Sequence, residues 1–161
     1  MINYFIKKLS IIKRKIKSEK KSYSFGGVDL LVNYLFKNKK KGIYLDVGSQ
    51  HPIANNNTYL LYKRGWCGIN IDLDKKNIDL FNISRKKDLN INVAISSDES
   101  RKKLYFYHEG SPINTISKTT AKKQKATIKD IKEIKTTTID KILEKNQYNK
   151  IDYLNIDVEG H

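Results

Sequence analysis

The stretch from Lys41 to Pro52, KGIYLDVGSQHP, constrains this chain more than any other. Ile43 to Val47 reads as a buried strand, with the carboxylate of Asp46 near its end and Gly48 where the chain must turn sharply. Open α/β sheets bind ligands just beyond the carboxyl ends of their parallel strands. A glycine at that point removes the Cβ that would hold a ligand off the backbone. The segment therefore predicts the start of a nucleotide-type cofactor site.

The surrounding pattern supports a sheet. Val28 to Phe36 reads as a helix with Leu31, Leu35 and Val28 facing inward. Asn57 reads as the N-cap of a short helix over Thr58 to Arg64, stopped by Gly65. Cys67 to Leu73 is a second strand, Lys75 to Lys86 a helix, and Leu89 to Ile95 a third strand. Leu104 to Tyr107 is a short fourth candidate in a hairpin, and Ser111 to Lys125 is polar, without periodicity, and reads as a mobile loop. Thr138 to Lys145 is a helix and Ile151 to Val158 a final buried strand. Alternation of this kind implies right-handed crossovers and an α/β fold with a mainly parallel sheet.

The net charge of +15 is concentrated at one end. Residues 1–41 hold twelve Lys and Arg against Glu19 and Asp29, a net +10. Within them Ile2, Phe5, Leu9, Ile12 and Ile16 step by three and four, which makes residues 1–24 a basic amphipathic extension ahead of a domain over 25–161. Three partners suit such a stripe: the domain itself, another protein, or an anionic membrane surface met through residues 1–17. No apolar run approaches a membrane span. Cys67 is the sole cysteine, which excludes an internal disulfide and fits the cytoplasm. With three histidines besides, no zinc site is expected.

Three strand ends carry acids: Asp46, Asp72, and the pair Asp157 and Glu159. In a parallel sheet those ends share one edge. Asp72 lies 26 residues beyond Asp46, near the spacing at which such folds place the acid that accepts a ribose diol. Asp46 orients either the turn or the cofactor. Asp157 and Glu159, with His161 beside them, suit a general base, a divalent cation, or the steering of an acceptor hydroxyl. His51 and His108 read as loop or surface residues. The fingerprint G-x-G-x-x-G is absent after Asp46, as is a phosphate-cradling G-x-x-x-x-G-K-[ST]. A cofactor with a ribose and no phosphate fits better, and S-adenosyl-L-methionine is the obvious one. A nicotinamide-dependent oxidoreductase shares the fold without its glycines. A basic module for nucleic acid or membrane surfaces is the other rival, although no nucleic-acid motif stands out and that partner is not expected.

The motifs YLDVGSQHP, NTYLLYKRGWCGINID (Asn57 to Asp72), NVAIS (Asn92 to Ser96), Asn114-Thr115 and IDYLNIDVEGH (Ile151 to His161) resemble, in order and spacing, the FkbM-type S-adenosylmethionine-dependent methyltransferases. The resemblance spans about Gly42 to His161 and implies a Rossmann-like class I methyltransferase fold. It implies cofactor contacts at Asp46, Gly48, Ser49, Asp72, Ala94 and Ile95, and catalytic roles for Asp157 and Glu159 facing the methyl group. It further implies O-methylation of a small-molecule or sugar hydroxyl. The family's sheet continues past this motif, so the sequence is expected to supply the N-terminal part of the fold, with C-terminal strands missing and activity of this length of chain open.

Overall fold

A computed structural model describes residues 21–158. Residues 1–20 of the extension expected over 1–24, and residues 159–161 with Glu159 and His161 among them, lie outside the described residues.

Strand β1 (Ile43–Val47) lies at the centre of a four-stranded parallel sheet ordered β3-β2-β1-β7, with β2 over Cys67–Asp72, β3 over Leu89–Asn92 and β7 over Tyr153–Ile156. The pairing is in step: Leu45 stands between Ile69 and Leu154, and Asp46 between Asn70 and Asn155. Successive side chains on a strand point to opposite faces, and this divides the core. Leu45, Val47, Ile69 and Ile71 face one way and pack with Ile142 of α5 (Ile139–Lys145), whose N-terminus is capped by the Thr138 side chain accepting from the Lys141 N–H. Tyr44 faces the other way, into a cluster with Trp66, Leu61 of α2 (Tyr59–Lys63) and Val32 of α1 (Val28–Leu35).

The structure departs from the predicted elements in five places. Residues 89–95 do not form one strand. β3 ends at Asn92, opposite the last residue of β2, and has no partner beyond it. The Val93 N–H bonds the Asp72 carbonyl, and Ala94–Ile95 (β4) joins Thr136 and Thr137 of a second sheet instead. That sheet, ordered β4-β6-β5, contains β6 (Asp130–Thr137), a strand the sequence reading passed over, antiparallel to β5 (Arg101–Phe106). The stretch read as a mobile loop holds a packed loop and the helix α4 (Lys118–Lys123), capped by Ser117.

Helix α1 turns a different face inward. Leu31 and Leu35 are 60% and 67% exposed, and Val28 is exposed as well. Asp29 and Val32 are buried instead, because the Asp29 carboxylate accepts from the Ser22 and Ser24 hydroxyls and from the Tyr23 N–H. That knot fixes position 29 inward, and Val32 and Phe36 follow it at helical spacing. Lastly, Thr58 rather than Asn57 is the N-cap residue of α2. The Asn57 side chain is drawn across to donate to Asn155 Oδ1 at 2.9 Å. Helix α3 (Lys75–Ser84) follows β2 and is capped by Asp74.

Candidate functional site

The strand order reverses at β1. The chain steps outward to β2 and β3, then returns to β1's other flank as β7. Such a switch point opens a crevice at the carboxyl ends of the strands. A cavity of about 270 Å³ lies there, walled by Val47, Gly48, Gln50, Asp72, Asn77, Ala94, Ile95, Asp157 and the loop from Ser111 to Ile116.

Asp72 ends β2 inside this wall, 7% exposed. Its Oδ1 accepts from the Asp74 N–H at 2.7 Å and from Asn77 Nδ2 at 3.2 Å, and its Oδ2 accepts from the Gln50 N–H at 2.9 Å. Burial raises its pKa above the ordinary carboxylate value; those hydrogen bonds oppose the shift and the neighbouring Asp74 charge adds to it. Oδ1 accepts from two protein donors and Oδ2 from one, so the carboxylate retains acceptor capacity in the cavity wall.

Gly48 has φ +76, and a Cβ there would collide with the Asp157 carbonyl oxygen. The glycine is thus required by the closeness of two backbones as well as by the turn. Ala94 and Ile95 present apolar surface to the cavity through β4. Asp157 is exposed, lines the cavity and donates its N–H to the Val47 carbonyl at 2.9 Å.

Asp46 and Ser49 stand behind the wall. Alternation along β1 sends Val47 to the cavity and Asp46 to the helix-covered face, 1% exposed. There its Oδ2 accepts from the Thr58 hydroxyl at 2.8 Å and Asn56 Nδ2 at 3.2 Å, and its Oδ1 accepts from Asn155 Nδ2 at 2.8 Å. Burial raises its pKa against those bonds and against the charge of Arg85. Ser49 is buried, with its hydroxyl donating to the Ile71 carbonyl. Of the two roles open to Asp46, the geometry matches the orienting of the turn.

Arg85, fully buried, completes that support. Its guanidinium donates to the Pro52 carbonyl at 2.6 Å, to Asn56 Oδ1 at 2.6 Å and to the Thr58 hydroxyl at 2.8 Å, so it fastens the 52–58 loop that follows Gly48. The rings of Phe81, Tyr59 and Tyr62 lie 5.0, 5.4 and 5.4 Å from its carbon centre. His51 serves the same loop, its Nδ1 accepting from the Ile53 and Ala54 N–H groups.

Sequence reasoning missed Gln50, Asn77 and the 111–116 loop as wall residues. Gln50 contributes through its backbone N–H, held at φ 51, and no side-chain pattern announces that. The Asn114-Thr115 pair was a signal for the loop, obscured by the polarity around it.

A parallel sheet with a reversed strand order, an acid ending the second strand and a cavity at the switch point make this a Rossmann-like fold, consistent with a methyltransferase. The family described as Methyltransferase FkbM domain matches residues 46–161, and the chain belongs to it. No curated protein and no solved structure matches. Among the described residues no helix is long and apolar enough to cross a membrane.

Proposed function

We propose that the cavity binds S-adenosyl-L-methionine and that the chain directs its methyl group to a hydroxyl of a small molecule or glycan. The single observation carrying this reading is the placement of Asp72: a buried carboxylate at the end of β2, held by three protein donors, in the wall of a cavity, in a sequence that carries no phosphate-binding loop. A vicinal diol can donate to such a carboxylate. The ligand supplies an activated methyl on a sulfonium.

The residues present fit that group. Asp72 suits the ribose, Ala94 and Ile95 offer an apolar slot for the adenine, and Gly48 lets the ends of β1 and β7 meet at the cavity wall. Asp157, on the same edge, is suited to draw the proton from an acceptor hydroxyl, and Glu159 is its proposed companion. Acids along this edge also favour a cationic ligand within a chain of net charge +15. Holding the acceptor oxygen near and in line with the methyl group is the main demand on the protein. The cytoplasm suits a chain whose only cysteine, Cys67, is exposed and unpaired.

Calorimetry with S-adenosylmethionine and S-adenosylhomocysteine tests this. Wild type is expected to bind both, and Asp72→Ala to lose at least about tenfold in affinity. A folded wild-type chain that binds neither ligand refutes the reading.

A further inference from the structure

Asp74 is buried two residues beyond Asp72, and the ribose-and-methyl chemistry above gives it no role. Its two oxygens serve different parts of the molecule. Oδ1 caps α3 by accepting from the Lys76 N–H at 3.0 Å. Oδ2 reaches across to the loop between β5 and α4, accepting from the Gly110 N–H at 2.6 Å and from Asn114 Nδ2 at 3.3 Å. Asn114 carries the contact into the loop: its Oδ1 accepts from the Tyr107 N–H at 2.9 Å and its Nδ2 donates to the His108 carbonyl at 2.8 Å. The segment so gathered supplies Ser111, Pro112, Asn114, Thr115 and Ile116 to the cavity wall. Ser111, Asn114 and Thr115 are all buried although the stretch is polar.

We propose that Asp74 is a positioning residue: its carboxylate clips the 108–116 loop onto the first turn of α3 and so sets the cavity wall beside Asp72. The geometry favours one shared element over two separate contacts. The Asp74 N–H is itself the donor to Asp72 Oδ1, so the clip and the ribose-facing acid hang on one short backbone segment. One carboxylate oxygen that accepts from two loop donors makes a firmer tie than either contact alone. Losing both loop contacts frees the wall while leaving the sheet that carries Asp72 in place. The proposal rests on the cavity being the cofactor site.

Asp74→Ser separates the clip from the cap. A serine hydroxyl caps a helix about as well as an aspartate does, but it is too short to span to Gly110 and Asn114. The full chain carrying this variant is expected to fold and to melt below wild type, since the helix cap is kept while two loop donors lose their acceptor. Its Gly110 amide is expected to exchange with solvent much faster, and its dissociation constant for S-adenosylhomocysteine to rise about tenfold. A Gly110 amide as protected as in wild type overturns the clip. A deprotected amide with affinity within about twofold of wild type overturns the positioning role. A wild-type chain that binds no ligand removes the cofactor reading and this proposal together, whereas wild-type binding with an unaffected Asp74→Ser removes this proposal alone.

Discussion

The carbonyl oxygen of Asp157 occupies the space that a Cβ on Gly48 would need. The ends of β1 and β7 therefore touch backbone to backbone at the mouth of the cavity, and the turn after β1 is held at a φ of +76. Gly48→Ala must both adopt a left-handed backbone, at about 1–2 kcal/mol, and push the strand ends apart. A total loss of roughly 3 kcal/mol or more is expected from urea denaturation. A variant within about 0.5 kcal/mol of wild type would show that β7 yields freely.

Arg85 makes a second prediction. One ammonium cannot reach the Pro52 carbonyl, Asn56 and Thr58 at once. Arg85→Lys is expected to cost about 2–4 kcal/mol, because it leaves buried acceptors unpaired. It should also raise proteolytic nicking within residues 52–58. An unchanged cleavage pattern would argue that the loop holds itself.

Affinity for S-adenosylhomocysteine is expected to depend on pH through Asp72. Its pKa lies above the ordinary 3.8 because the carboxyl is buried. On the proposed role, the carboxylate is available to a diol above the raised value; as pH falls through that value it takes up a proton and the charged acceptor is lost. Binding should therefore weaken on acidification from about pH 7 toward pH 4. Asp72→Asn should bind weakly with no such slope. An equal slope in wild type and variant would assign the titration to another group.

Stability should show the opposite trend. Asp46, Asp72 and Asp88 all have pKa values raised above 3.8, with burial the leading cause. Between 3.8 and the raised values the folded chain binds more protons than the unfolded one, so stability falls as pH rises through that window. Asp98 and Asp152, held low by lysines, lose their contribution only below 3.8, outside it. Asp46→Asn should be less stable throughout, since an amide nitrogen would face donors at Thr58, Asn56 or Asn155. Its thermal midpoint should nevertheless change less with pH across the window. A slope as steep as wild type counts against Asp46 as a contributor.

β1, β2 and α3 were legible because buried parallel strands are near-continuous apolar runs, and because Asp74 and the residues after it form an ordinary capped helix. β6 was not. Its sequence, DIKEIKTT, is mostly exposed and reads as charged loop until β5 is seen pairing with it. Asp46 and Asp72 look alike in sequence, each an acid at a strand end, yet one faces helices and the other a cavity. Asp72 is the last residue of its strand, whereas Asp46 lies one residue inside β1, on the face opposite Val47. The roof over the cavity was illegible for a different reason. Its order comes from Asp74, some 36 residues away, and no local periodicity records a contact at that separation.

Cys67 opens β2 and Asp72 closes it, so five residue steps, or about 16 Å of extended chain, separate the two. The thiol is exposed and has no rival anywhere in the 161 residues. Nature has thus left a single attachment point on the same rod that carries the key carboxylate, at its far end. A fluorophore or spin label coupled there would sense the strand without crowding the crevice, giving a reporter for ligand screening that needs no engineered residue.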